Sequence, residues 1–485
     1  MVSKFELKNK SLPGGDSSLE KPLKPILAGF MTISTRLDRL SPGKWVWLVL
    51  LIAVIQRFAL WFMYQPVLYS DTPSYRRLAA TILHGFDHYD ATRTPGYPLI
   101  LAIFGSDRAV WLTQMVMGVV VTMLFFYLGW QFSRHAWFGG LVALAHTFNP
   151  GQIFFEPNLL SETATTFWIV LTVAGMVYWF YHPENRTIWQ AFGMGLCASL
   201  AWLTRPLFIY LPVWVLLFIL IDWQKGRIKL IPHSLGIGLV YLLPVFLFLG
   251  VWVGFVRVRF HIWGLTTMTG YHMVQHTGVF FEYVPDQYAQ LRDTYLKYRA
   301  AHIAQYGTQT NTIWDAIPEM EKISGKSFVD LSRLLTKISL QLIREHPNLY
   351  LRNVWQGWWY FWRGPVYWSP EAFHLKNLLP VLSGVILVER LSVFACNLIF
   401  IISSLLVVLW RKIGQSLGLN PAWYFLLGSV WIASVFQTFL DHGDNPRFLI
   451  PLQSIVILWV LWVAVVGGVK YLSVAQQQAT GIQVE

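Results

Sequence analysis

Ten runs of mostly apolar residues dominate this chain, each close to the ~20 residues that a helix needs to cross a hydrocarbon core. They cover 45–64, 109–132, 136–155, 162–181, 188–204, 206–222, 231–255, 383–410, 422–440 and 448–470. A segment that crosses a bilayer must satisfy its own backbone polar groups, which leaves helices and closed barrels. Continuous apolar runs of this length are helical, so the expected fold is all-α: a polytopic transmembrane bundle of about ten spans. His146 and Pro150 interrupt the third run, and the fifth is short. Residues 95–105, PGYPLILAIFG, are apolar but too short to cross, and read as a re-entrant or buried half-helix.

Of the 485 residues only 13% are charged and 55% are hydrophobic. Soluble domains carry about 25% charged residues, so a soluble enzyme is excluded. The net charge of +12 could in isolation suggest nucleic acid, but membrane proteins collect Lys and Arg on their cytoplasmic side for topological reasons, and no nucleic-acid partner is expected. With the polar, basic segment 1–44 inside and no cleavable signal peptide, every short inner connection is basic. They carry Arg134, Arg186, the Lys225/Arg227/Lys229 cluster, Arg411 with Lys412, and Lys470. The expected organisation is a cytoplasmic segment 1–44, a transmembrane body 45–255 with its first outer loop at 65–108, an extracytoplasmic loop 256–382, C-terminal spans 383–470 and a cytoplasmic tail 471–485. Cys197 and Cys396 fall in apolar surroundings and offer neither a disulfide framework nor a cysteine zinc site.

Carboxylates concentrate on the opposite, outer side: Asp71, Asp87, Asp90, Glu156, Glu162, Asp441 and Asp444. An acidic set drawn to one side from distant loops points to a site. The long outer segment places Phe328, Leu331, Leu335, Ile338 and Leu342 at helical spacing. After His346-Pro347 comes YLRNVWQGWWYFWR, whose Trp and Arg content suits a helix lying in the membrane interface.

The first outer loop, YSDTPSYRRLAATILHGFDHYDATRTPGYPLILAIFG, is the most informative stretch. Thr72 can cap a helix whose first position is Pro73. Tyr75, Leu78, Ala79, Ile82 and Leu83 then share one face, Arg76 and Arg77 another, and Gly85 ends the run. Asp71 precedes this helix, where exposed N–H groups favour an ionised carboxylate; it either assists the cap or accepts a proton. Arg93 stands before a stiff Pro/Gly turn as a snorkelling cation or an anion ligand. Arg57, inside the first run, reads as snorkelling toward the outer end, and His146 as buried and hydrogen-bonded.

An Asp after the first span, an amphipathic helix, and then Arg93-Thr94-Pro95-Gly96-Tyr97-Pro98-Leu99-Ile100-Leu101-Ala102 form a recognisable series. It continues with Leu159-Leu160-Ser161-Glu162-Thr163, Thr204-Arg205-Pro206, Glu345-His346-Pro347 and Gly443-Asp444-Asn445-Pro446-Arg447-Phe448-Leu449-Ile450-Pro451-Leu452. The set, over roughly residues 45–465, resembles the GT-C superfamily of integral membrane glycosyltransferases. Within it, the likeness is to the bacterial branch related to protein O-mannosyltransferases and the lipid A aminoarabinose transferase. The chain departs from the protein O-mannosyltransferases in carrying Thr72 after Asp71, where they have a paired Asp-Glu, and in lacking a β-trefoil insertion.

The resemblance implies a GT-C bundle with amphipathic juxtamembrane helices and one large extracytoplasmic helical loop. It also implies an essential Asp in the first outer loop, inversion at the anomeric carbon and a polyprenyl-phosphate sugar donor at the outer leaflet of a bacterial inner membrane. The acceptor is left open among lipid, glycan and protein. On this reading Asp71 is the general base. Glu162 is a second acid or a helix-start carboxylate, and Arg93, Arg205 and Arg447 hold the donor phosphate. Tyr75, Tyr97, His272, His442 and Asp444 are candidate substrate contacts, with His276 four residues after His272. Arg257 and Arg259 read as snorkelling. A divalent ion is left open, because the acids and histidines show no fixed ligand spacing. The competing expectations are a transporter or flippase of a lipid-linked sugar, which calls for charges within the bilayer, and an assembly partner without catalysis.

Overall fold

The structure, a computed structural model, describes residues 36–221, 232–443 and 445–468. Outside the described residues lie Asp444, the Lys225/Arg227/Lys229 cluster, Lys470, most of the 1–44 segment and the 471–485 tail. The described residues are predominantly helical, and among them the only extended pairing is a single bridge between Val67 and Asn158.

The described parts of the ten apolar runs fall mainly on helices. In chain order these are α1 (Pro42–Met63), then α2 (Thr72–Leu83) and α3 (Gly96–Phe104) in the first loop, α4 (Asp107–Ser133), α5 (Ala136–Thr147), α6 (Glu162–Tyr181), α7 (Ile188–Thr204), α8 (Tyr210–Leu220) and α9 (Pro232–Phe260). The long segment adds α10 (Thr269–Thr277), α11 (Ala289–Tyr306), α12 (Thr312–Ser324), α13 (Phe328–Glu345) and α14 (Pro347–Phe361) before α15 (Leu379–Leu409), α16 (Pro421–Leu440) and α17 (Ile450–Trp462). Among the described residues seven helices are long and apolar enough to cross a membrane, and α5, α7 and the Pro206–Leu220 segment are shorter apolar helices. The third run breaks where its sequence suggested. Asn149 accepts the Gln152 N–H and starts a separate turn at Pro150–Ile153, because proline cannot donate to the preceding helix.

The body is layered by burial. In Asn445–Gly467 72% of the apolar window is buried, against 17% in α1, so the last long helix is central and the first peripheral. His146 is buried in this body, stacked on Phe125 and bonded through Nδ1 to Ser454 Oγ (2.7 Å). Arg57 corrects the sequence reading. It does not snorkel but is 2% exposed. It donates to Glu156 Oε1 from Nε (3.1 Å) and Nη2 (2.5 Å), and from Nη1 to Thr147 Oγ1 (2.8 Å) and Ala53 O (3.2 Å). Glu156 is therefore an interior carboxylate, not a member of an acidic surface.

The long segment has a hydrophobic core of its own, in which Leu331, Leu335, Ile338 and Leu342 are fully buried against α10 and α12 as their spacing requires. Helix α14 leaves Trp355 and Trp359 exposed while Asn353, Val354, Gly357 and Phe361 pack inward. One face thus presents indole rings, the arrangement suited to a membrane interface.

Candidate functional site

Five charged side chains, from positions 71, 93, 162, 205 and 447, meet at one end of the bundle. Each is brought there by an element end. Asp71 stands at the start of α2, but its carboxylate makes no capping bond. Thr72 is not the cap that its position suggests: its hydroxyl donates to Leu159 O (3.1 Å) and accepts the Tyr69 N–H (2.9 Å), tying the loop to the α6 entrance. The α2 face forms as expected at Tyr75, Leu78 and Ala79, whereas Leu83 at its end is exposed. Arg93 lies just before α3. Helix α3 can approach α7 only because residue 96 is glycine: a Cβ there would lie 2.6 Å from the backbone of Leu203 and Thr204. That contact sets the α3 start beside the end of α7, where Arg205 leaves the helix. Glu162 occupies the first turn of α6, and Arg447 lies in the 3-10 turn leading to α17.

The five groups form a continuous alternating chain. Arg93 Nη2 donates to Asp71 Oδ1 (2.5 Å), and Arg447 Nη2 to Asp71 Oδ2 (2.9 Å). Arg447 Nε lies 3.1 Å from Glu162 Oε1, which also accepts from Arg205 Nη1 (2.7 Å). Glu162 is 1% exposed, so the helix-start carboxylate is also a member of the cluster. Burial alone would raise the Asp71 carboxyl, but the Arg93 and Arg447 guanidiniums overcome it and hold the group well below the usual carboxylate range. The guanidiniums rest on rings: Arg93 lies over Tyr75 (5.4 Å) and Arg205 over Phe448 (4.1 Å). Such stacking fixes a planar cation while leaving its N–H edge available.

Tyr75 also donates to Ser161 Oγ (3.3 Å) and joins the cluster. Tyr97 does not reach it. Fully buried, it stands edge-on to Tyr75 and donates to Gln114 Oε1 (3.2 Å), so its role is packing. Arg257 and Arg259 also stay outside: Arg257 bonds His261 O and lies over Trp263, at the end of α9.

A second polar group forms between α10, α14 and the turn after α16. His272 Nδ1 lies 3.3 Å from Asp441 Oδ2. Burial opposes the ionised form of Asp441, yet His272 and the Gly443 N–H bring its pKa down to about 2. The His276 and His442 rings meet edge-on at 5.5 Å. Burial lowers both, His276 to about 3, so both are neutral imidazoles. Asn353 Nδ2 donates to His276 O (3.1 Å) and lies 3.3 Å from its Nδ1. Among the described residues no three His, Cys, Asp or Glu side chains form a group able to hold a metal ion. The divalent ion left open by the sequence therefore has no ligand set among them.

Sequence reasoning missed Asn353 and Phe448 as members of these groups. Phe448 directly follows Arg447 in its motif, which is a usable signal, whereas nothing in the α14 sequence distinguishes Asn353. Comparisons with protein-family models, curated proteins and solved structures return no match to this chain.

Proposed function

We propose that the protein is a GT-C-type membrane glycosyltransferase, an inverting enzyme of about ten spans that moves a sugar from a polyprenyl-phosphate donor to a lipid, glycan or protein acceptor. Its site faces outside the cytoplasm at a bacterial inner membrane. The observation that carries the reading is the single charge chain Arg93–Asp71–Arg447–Glu162–Arg205. It unites a carboxylate at the base position with three cations able to receive a phosphate, on residues far apart in sequence. Arg134, Arg186, Arg411 and Lys412 follow the opposite ends of α4, α6 and α15, in keeping with a basic cytoplasmic side.

In the reaction, the acceptor hydroxyl gives its proton to an Asp71 oxygen as its own oxygen bonds to the anomeric carbon. The bond from that carbon to the phosphate oxygen breaks, and its electron pair leaves with the polyprenyl phosphate. Proton transfer to a positioned base contributes about 10²–10⁴-fold, and Arg93, Arg205 and Arg447 offset the charge that develops on the phosphate. Tyr75 supports Arg93 from below, and the neutral His442 and His276, with His272 on Asp441, offer hydrogen-bonding groups suited to sugar hydroxyls. Asp71→Asn is expected to abolish transfer in membranes supplied with labelled donor and acceptor while expression persists; full activity in that variant would defeat the assignment.

The buried Arg57–Glu156 pair favours a second reading, a transporter or flippase of a lipid-linked sugar, since interior charges are expected there. The two separate in detergent solution, where an enzyme turns over donor and acceptor without a membrane and a transporter does not.

A further inference from the structure

The contacts of Asp71 sit oddly with its role as a base. Both of its oxygens are engaged by guanidiniums, Oδ1 by Arg93 at 2.5 Å and Oδ2 by Arg447 at 2.9 Å. A carboxylate in that grip is a poor proton acceptor, because efficient base catalysis needs basicity near the operating pH. The same Arg93 edge that holds Asp71 is the edge a phosphate needs.

We infer that Asp71 is an internal competitor for the phosphate site: a phosphate anion replaces it on Arg93, and that exchange releases the carboxylate oxygen that then serves as base. The inference rests on the reading of Arg93 as a phosphate ligand and makes binding ordered, donor before acceptor.

Four features fit an exchange better than a permanent bridge. Arg93 Nε is buried and has no hydrogen-bond partner, so the guanidinium has a donor beside Nη2 still to be filled, as a two-oxygen anion would fill it. Arg93 is held without Asp71, by the Tyr75 ring below it and by the Tyr89 hydroxyl, which donates to its carbonyl (3.1 Å). The Asp71 carboxylate makes no helix-capping bond, so its rotation leaves α2 intact. Arg447 already lies against a second carboxylate, Glu162, and stays compensated when Asp71 turns away.

A site occupied by its own carboxylate binds an external anion more weakly, by the fraction of time the carboxylate is away. The test is calorimetric binding of farnesyl phosphate, with inorganic phosphate as the headgroup-only probe, to the purified full-length protein in detergent. Asp71→Asn is expected to bind farnesyl phosphate about tenfold tighter than wild type or more. That gain should be lost in Asp71→Asn/Arg93→Gln and partly kept in Asp71→Asn/Arg93→Lys, with thermal melting confirming that each variant is folded. Unchanged or weaker binding by Asp71→Asn, a gain that survives loss of Arg93, or no binding by any form would overturn the inference. A gain seen for inorganic phosphate as well places the competition at the headgroup; a gain for neither probe counts against it. Turnover is scored separately. Tighter binding by Asp71→Asn with no transfer by wild type removes the transferase and leaves the competition standing. Wild-type transfer with unchanged affinity in Asp71→Asn does the reverse.

Discussion

Replacing either partner of the Arg57–Glu156 pair should destabilise the protein, and by unequal amounts. Arg57 gives two of its four hydrogen bonds to Glu156 Oε1. In Glu156→Leu the guanidinium loses both charged bonds and stays cationic, because arginine does not deprotonate in proteins. Hydrogen bonds to charged groups contribute about 1.5–3 kcal/mol each. An uncompensated buried partner costs about 3–5 kcal/mol, and the upper half of that range applies here because Arg57 is almost fully enclosed. In Arg57→Met the remaining carboxylate can take up a proton and become neutral, which limits the cost to that of an imperfectly bonded polar group, about 1–3 kcal/mol. The double variant Arg57→Met/Glu156→Leu removes both charges and should lie within about 1–2 kcal/mol of wild type, since apolar replacement of a buried pair is often neutral. Unfolding in mixed micelles of increasing denaturing detergent, followed by fluorescence of the 25 tryptophans, reads all three. A cost under about 1 kcal/mol for Glu156→Leu would refute the argument that this charge is enclosed and dependent on its partner.

The same interior constrains Gly118, whose added Cβ would lie 1.9 Å from Glu156 Oε1 and 2.7 Å from Arg57 Nη2; Gly118→Ala should cost about 3 kcal/mol in the same assay, as a displaced buried pair does. Burial lowers His276 from 6.5 to about 3 and also lowers His442. Their neutral forms therefore contribute stability that is fully present above pH 6.5 and is lost as pH falls. His276 should contribute a slope of up to about 1.4 kcal/mol per pH unit, and His276→Gln should remove that share in unfolding measured between pH 6.5 and 5. Asp441 adds nothing to that slope, since its stabilisation is lost only between about pH 4 and about 2. Arg205→Met removes one of the three cations and should lower turnover of labelled donor about 10²-fold, as loss of one oriented donor does elsewhere; unchanged turnover would exclude Arg205 from the phosphate site.

Much of the framework is legible in one dimension because membrane crossing is a local requirement. Each span needs its own length of apolar residues, so the seven long apolar helices and the three shorter ones could be located, together with the break at Pro150 and the buried stripe of α13. Asp71, Arg93, Glu162, Arg205 and Arg447 could also be named, since each sits beside a Pro, a Gly or a helix start that marks an element end at the same side. The sequence could not say which of them touch. Tyr97 stands in the same motif as Arg93 and is nonetheless buried behind Tyr75. Arg57 looks like a residue reaching for the interface, and is enclosed because Glu156, 99 positions away, folds back against it.

The amino-acid sequence by itself determined the helical membrane architecture, the grouping of basic residues at one set of helix ends, and the short roster of charges at the other. Tertiary structure alone decided that the roster is a single alternating chain, that Asp71 lies between two guanidiniums rather than capping α2, and that one carboxylate belongs to the interior. The physical reason is range. Helix formation and bilayer crossing depend on neighbours a few residues apart. An ion pair depends on side chains within a few ångströms, and here those come from positions as far apart as 71 and 447.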